Sequence, residues 1–415
     1  MVSLNKNTVC IHKIIFEDQV IGFLIGNKGS HILTYVSPPE LNYPSYSLAY
    51  KLPFQAKFRQ QKQYRQLLNP ILSNLLPEGE VRNRITDELA VNDQNELSIL
   101  LALGSNLPGA IKVLPALLDE VPPGLVGKYL ADKTIADSSN TISWKHSLAG
   151  VQFKMSVQEK DDCYILDDDK GLGNWIIKPP SETYLNIPLN EYTAMKLAQL
   201  AGVDIPDIKL IKTDKIRHLF SDAFPDEEYS FAIKRFDRNA GHRIHMEDFA
   251  QIFFEYPHRK YDAANYQQIG KVIYDYSQNK RSDIKQFARR LLVNILVGNG
   301  DAHLKNWSMI YPNGLDPILS PAYDIVTTLA YIENESGIAL NLGKMKRWYD
   351  IRMSHFQYFA TKIGIPWEEI KPDLLDTIDK ARSLWPSALN QLPMNEGHKA
   401  KLRKHWKLLP HCFQI

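Results

Sequence analysis

The stretch "GNGDAHLKN" carries the densest set of reactive side chains in the sequence: Asp301, His303 two residues on and Asn306 five residues on. About twenty residues later "LSPAYDIVTT" adds Asp324. An aspartate, an amide and a second carboxylate in this order suit phosphoryl transfer. One carboxylate receives the proton of an acceptor hydroxyl, while the amide oxygen and the other carboxylate offer hard oxygens to magnesium. The same residues also suit a plain turn after a helix, which Gly298, Asn299 and Gly300 would make easy. Phosphoryl transfer further requires a cation for the phosphates. Lys178 in "GNWIIKPP" is a candidate, with Glu191 as its carboxylate partner. A surface lysine at a strand end and a glutamate favoured by a helix dipole are the alternative reading.

These residues need elements to position them. Phe287, Leu291, Asn294 or Ile295 and Gly298 recur at helical spacing, predicting an amphipathic helix that delivers Asp301. "WIIK" and "YSFAIKRF" predict strands, and "LNEYTAMKLAQLAG" predicts a helix ended by Gly202. Two apolar runs around Glu17, Asp18 and Gln19 predict a hairpin opening a small mixed domain of about 115 residues. A linker containing "DEVPPGLVG" follows, and beyond about residue 240 the chain reads as mostly helical. The expected class is α+β in three parts: residues 1–115, 116–236 and 237–415.

With 44% hydrophobic and 23% charged residues and a net charge of +2, the chain can build a large core and has no gross commitment to nucleic acid. No apolar run reaches the roughly 18 residues of a membrane span and no signal-peptide pattern opens the chain, so a cytoplasmic location without a membrane partner is expected. Cys10, Cys163 and Cys412 are far apart and form no CxxC.

Taken in order, "SLAGVQFKM", "WIIKPP", "NEYTAMKLAQLAGVDIP", "IKRFDR", "HMEDFAQ", "GNGDAHLKNWSM" and "SPAYDI" resemble the HipA family of serine/threonine protein kinases, toxin halves of bacterial toxin–antitoxin pairs. "LLPEGEVRNRI" and "GSNLPGAIKVLP" resemble that family's amino-terminal subdomain, so the resemblance covers nearly the whole chain. It implies a bilobal kinase-like fold with an N-terminal mixed subdomain and a mostly helical C-terminal lobe, using ATP and Mg2+. By the same resemblance Asp301 is the catalytic aspartate, Asn306 and Asp324 the magnesium ligands, and Lys178 the nucleotide lysine. Ala149, Gly150, Val151, Gln152, Phe153 and Lys154 match the loop that covers the phosphates. Lys234, Arg235 and Phe236 lie in the hinge that holds adenine, with lysine at 234 where many relatives have glutamate. His303, Lys305 and Tyr323 fall within the matched motifs beside the nucleotide. Ser147 matches a serine whose self-phosphorylation silences the kinase. Implied partners are a helix-turn-helix antitoxin, operator DNA reached through it, and a protein substrate such as an aminoacyl-tRNA synthetase.

Three further signals invite function. "HRIHMED" has metal-like spacing, although helix capping by Glu247 or Asp248 accounts for it. "RFDR" suggests an ion-paired strand end around Asp237. The basic stretch "EGHKAKLRKHWKLLP" reads as a solvated helix face or as a DNA-backbone contact. Two rivals share part of the pattern. Small-molecule kinases of the aminoglycoside or choline type usually show His-Gly-Asp where Asn299-Gly300-Asp301 stands here. A non-catalytic corepressor would not need Lys178, Asp301, Asn306 and Asp324 together.

Overall fold

The computed structural model describes residues 8–27, 30–36, 47–51, 63–104, 106–135, 153–160, 163–166, 173–217, 224–239 and 241–415. They form two compact units. The first comprises Met1–Gln158, Leu166–Gly173 and Asp237–Pro257; the second comprises Glu159–Ile165, Asn174–Phe236 and His258–Ile415.

The first unit is built on an antiparallel sheet. β1 (Thr8–Phe16) pairs with β2 (Gln19–Gly26), which pairs with β3 (His31–Tyr35) and it in turn with β4 (Gln63–Tyr64). The β1–β2 connection is Glu17-Asp18, both at positive φ (45° and 65°), as a two-residue turn that follows the strand twist requires. Helices α1 (Gly79–Leu89) and α2 (Glu96–Leu103) precede β5 (Ile111–Pro115), which closes the other side of β1. Ile14, Leu24, Leu33, Leu72, Leu76, Leu100 and Val113 fill the core. Asp248 caps the short helix Phe249–Ile252 by accepting from the Gln251 N–H at 2.8 Å, in a reciprocal capping box with the Gln251 side chain. Asp237 Oδ2 accepts from Arg238 at 2.8 Å and from the Gly109 N–H at 2.9 Å.

In the second unit, β6 (Trp175–Lys178) is followed by α3 (Ile187–Leu200), β7 (Ile208–Lys212) and β8 (Tyr229–Lys234). β8 runs antiparallel between β6 and β7, setting Phe231 opposite Lys178. The helical part contains α4 (Tyr266–Tyr276) and α5 (Lys280–Leu296). Ile284, Phe287, Ala288, Leu291, Leu292 and Ile295 form the buried stripe of α5 at spacings of three and four, and Phe287 packs on Trp307 and Phe359 at ring distances of 4.6 and 5.6 Å. α6 (Lys371–Gln391) and α7 (Glu396–Leu408) complete the unit. Trp385 Nε1 donates to the Leu197 carbonyl at 2.8 Å, tying α6 to α3. On α7, Trp406 Nε1 donates to the Leu296 carbonyl at 3.0 Å, and burial lowers the His405 pKa to about 4, so its neutral ring can donate Nε2–H to Ile295 at 2.8 Å.

The basic helix α7 is therefore only partly a solvated face. Leu402, His405 and Trp406 are buried, Lys399 pairs with Glu396 at 2.8 Å, and Lys401 donates to the Ala330 carbonyl at 2.6 Å. Lys404 and Lys407 remain exposed. No described helix is long and apolar enough to cross a membrane.

Candidate active site

β6 is followed by Pro179-Pro180, and its last residue, Lys178, is 4% exposed. A lone ammonium at such a depth would shed its proton. Here Nζ lies 2.6 Å from Glu191 Oε1 in the second turn of α3 and also hydrogen-bonds to Asp324 Oδ1. Burial opposes the charged form, but Asp324 and Glu191 more than offset it and hold the lysine pKa above its ordinary value. Asp324 reaches this pair from a left-handed backbone conformation (φ 53°), uncommon for a residue with a side chain and held by its surroundings.

The turn after α5 delivers Asp301. Gly298 sits at φ 64°, and a Cβ there would lie 1.7 Å from Leu329 Cδ2, so only glycine fits. The Asn299 amide donates to the Asn294 side chain at 2.8 Å, and the Gly300 N–H donates to Thr328 Oγ1 at 2.7 Å. Asp301 itself is about half exposed, and its Oδ1 accepts a hydrogen bond from the Tyr261 hydroxyl. The Tyr261 ring meets His303 edge-on at 4.9 Å, and His303 Nε2 is 3.9 Å from Asp301 Oδ1. Behind the turn, Thr328 Oγ1 lies 2.6 Å from Glu335 Oε2. Burial raises the Glu335 carboxyl to about 7, against the lowering effect of the Thr328 bond, and the nearby Asp301 raises it further.

Asn306 donates Nδ2–H to the Asp301 carbonyl at 2.8 Å, which leaves Oδ1 as the atom it can offer a cation. An amide oxygen and the Asp324 carboxylate are the donor types magnesium takes, with phosphate oxygens completing the shell, so these residues fit the cofactor pair implied by the sequence. Among the described residues no trio of His, Cys, Asp or Glu could hold a metal by itself.

The remaining candidates fall in several places. Tyr323 lies 5.6 Å from the Phe236 ring, and its hydroxyl donates to the Lys305 carbonyl at 3.0 Å. Arg235 is buried, with its N–H on the Asn174 carbonyl at 2.9 Å. The Lys234 side chain is half exposed and pairs with Asp207 at 3.0 Å, an ion pair at the sheet end. Phe153 packs on the core of the first unit, and Lys154 is half-buried beside it in sequence. Ser147, Ala149, Gly150, Val151 and Gln152 lie outside the described residues. Sequence reasoning missed Tyr261, Arg290, Thr328 and Glu335, which bear on Asp301 or its neighbours from elsewhere in the chain.

A family profile described as the HipA-like C-terminal domain matches residues 146–385, more than half of the chain, and the HipA N-terminal domain matches residues 12–114. The chain belongs to the HipA family. Among HipA-family relatives, "Putative kinase Y4dM" of Sinorhizobium fredii is 36% identical over 355 residues, covering 85% of this chain and 84% of that protein. "Serine/threonine-protein kinase toxin HipA" of Shewanella oneidensis is 23% identical over 381 residues, 83% of each. The structure of Shewanella oneidensis HipA with HipB and operator DNA matches at a TM-score of 0.69 and 20% identity, covering 97% of this chain and 96% of that one. The HipA fold is thus shared over nearly the full length, and the names of the relatives support kinase activity at the level of the family.

Proposed function

We propose that this HipA-family chain is a serine/threonine protein kinase that uses ATP and magnesium and acts as the toxin of a toxin–antitoxin pair in the cytoplasm. The observation that carries this reading is the buried Lys178 held between Glu191 and Asp324: two carboxylates against one ammonium leave the cluster net negative, which suits a cation beside Asp324 that can in turn hold phosphates next to the lysine. When bound, magnesium would neutralise charge on the phosphates between Asn306 and Asp324. Lys178 aligns the phosphates; Asp301 orients the acceptor hydroxyl and receives its proton. Arg235 and Phe236 are proposed at the hinge, with His303, Lys305 and Tyr323 lining the nucleotide side. The segment Ala149–Lys154 is proposed to cover the phosphates, and Ser147 to be the self-phosphorylated residue that silences the enzyme by bringing about −1.5 to −2 charges against them. The likeness to a HipA solved with HipB and operator DNA supports an antitoxin partner, and DNA through it; an aminoacyl-tRNA synthetase stays the proposed class of substrate.

The test is phosphate transfer from labelled ATP to the protein itself and to added protein substrates. Asp301→Asn and Asp324→Asn are each expected to lower transfer at least about 100-fold while leaving amide exchange in α3 and α5 unchanged. Transfer at the parental rate in either variant would refute the assignment. Intact-mass measurement with phosphosite mapping should find one phosphate on Ser147 in protein that has lost activity after incubation with ATP, and none there in the active form.

A further inference from the structure

Arg290 lies in α5, 3% exposed, on the helix that leads into the Asp301 turn. Burying a guanidinium is costly, and the usual compensation is a carboxylate. Among the described residues none forms an ion pair with it. Instead its Nη2 donates to the carbonyl of Asn306 and, at 3.3 Å, to the carbonyl of Tyr323. Its Cζ lies over the Trp307 ring at 4.3 Å from the centroid and over the Tyr323 ring at 5.3 Å. Burial lowers its pKa to about 10, and Tyr323, Asp324 and Tyr266 oppose that shift, so the group stays charged at neutral pH. One nitrogen, Nη2, thus gathers the backbone of Asn306 and of the residue just before Asp324, while Nε and Nη1 are buried without a hydrogen-bond partner among the described residues. Lysine could supply the charge and donate to two carbonyls, but not the planar, weakly hydrated group that lies over two rings.

We propose that Arg290 is a positioning residue that sets the spacing and orientation of the Asn306 and Asp324 segments. The proposal rests on the kinase reading for what those segments hold, whereas the clamp itself does not. By fixing two backbone carbonyls, Arg290 restricts where the Asn306 amide and the Asp324 carboxylate can point. It also places a buried positive charge near a carboxylate that must serve both Lys178 and a cation.

The test compares the full-length parent with Arg290→Lys in two measurements. Amide hydrogen exchange without ligand should speed up about tenfold or more at residues 305–308 and 322–325, with α3 and α6 unchanged. Binding of Mn2+ with a non-hydrolysable ATP analogue, followed by electron paramagnetic resonance, should weaken about 10- to 100-fold, as when a group behind a metal ligand is lost. Unchanged exchange at both segments would overturn the proposal. So would faster exchange spread evenly over the unit, which marks a packing residue only. Selective loosening in a protein whose parent binds no Mn2+ and nucleotide would sink the kinase reading and leave the clamp standing. If Arg290→Lys does not fold, the guanidinium resonances of the parent decide: hindered, slowly exchanging Nη–H groups are expected, and free rotation would refute the clamp.

Discussion

Replacing Lys178 with methionine removes the ammonium and keeps the length of the side chain. Glu191 is 1% exposed and accepts the lysine at 2.6 Å, so the substitution strands a carboxylate with almost no access to water. Breaking a buried pair by removing one partner costs about 3–5 kcal/mol. Asp324, whose side chain is about a quarter exposed, can recruit water and adds little. The expected loss is therefore about 3 kcal/mol, nearly all of it from Glu191. Adding Glu191→Gln neutralises the stranded group and should return about 2 kcal/mol of it. The sign with pH is also fixed. A lysine held above its ordinary value contributes stability that is complete below about pH 10 and lost only as pH rises through the folded value, so the parent should not respond at this pair between pH 6 and 9. In Lys178→Met, a buried Glu191 that has lost its ammonium takes up a proton more readily, and the loss should shrink toward pH 5. Because the chain has two units, one global melt is a poor readout, and amide exchange along Trp175–Lys178 and α3 reports the local free energy instead. A loss below about 1 kcal/mol, or no recovery in the double variant, would refute the reasoning.

Two further substitutions probe the surroundings of Asp301. Tyr261→Phe keeps the ring against His303 and deletes the hydroxyl that Asp301 accepts; kcat should fall about tenfold with the KM for ATP unchanged, and parental kinetics would make the contact incidental. Glu335 holds its proton up to about pH 7 in the folded chain, against an ordinary value near 4.5, so its contribution to stability declines as pH rises between those values. Glu335→Gln removes that decline and should gain about 1–2 kcal/mol on the parent between pH 5 and 8; the same pH dependence of local amide-exchange free energy in both proteins across this range would exclude it.

What could be read in advance follows from the range of the forces involved. The turn at Glu17-Asp18, the buried stripe of α5 and the Lys178–Glu191 pair depend on near neighbours or on one adjoining strand and helix, and sequence spacing reveals such relations. Arg290 acts on carbonyls 16 and 33 residues away, and Tyr261 on a carboxylate 40 residues away, which leaves no periodicity to find. Main-chain carbonyls are acceptors in every residue type, so a side chain that serves them has no partner visible in the sequence. In α7 the charges hide the apolar set: lysines alternate with Leu402, His405 and Trp406, and only the carbonyls waiting at Ile295 and Leu296 show why that face is buried. His245 is likewise a core group, edge-on to Phe16 at 5.1 Å, with burial pushing its pKa down to about 3.

The fastening of α7 to the end of α5 has a consequence for biosynthesis. The last carbonyls of α5, immediately before the Asp301 turn, are satisfied by His405 and Trp406, each 110 residues further along. At about 5–20 residues per second, a ribosome needs roughly 5 to 20 s to travel from the turn to the side chains that brace it. During that interval the nascent chain carries the Asp301 turn without the side chains that brace the end of α5. Completion of α7 then sets the earliest moment at which the end of α5, and the turn that follows it, can reach its final bonded form.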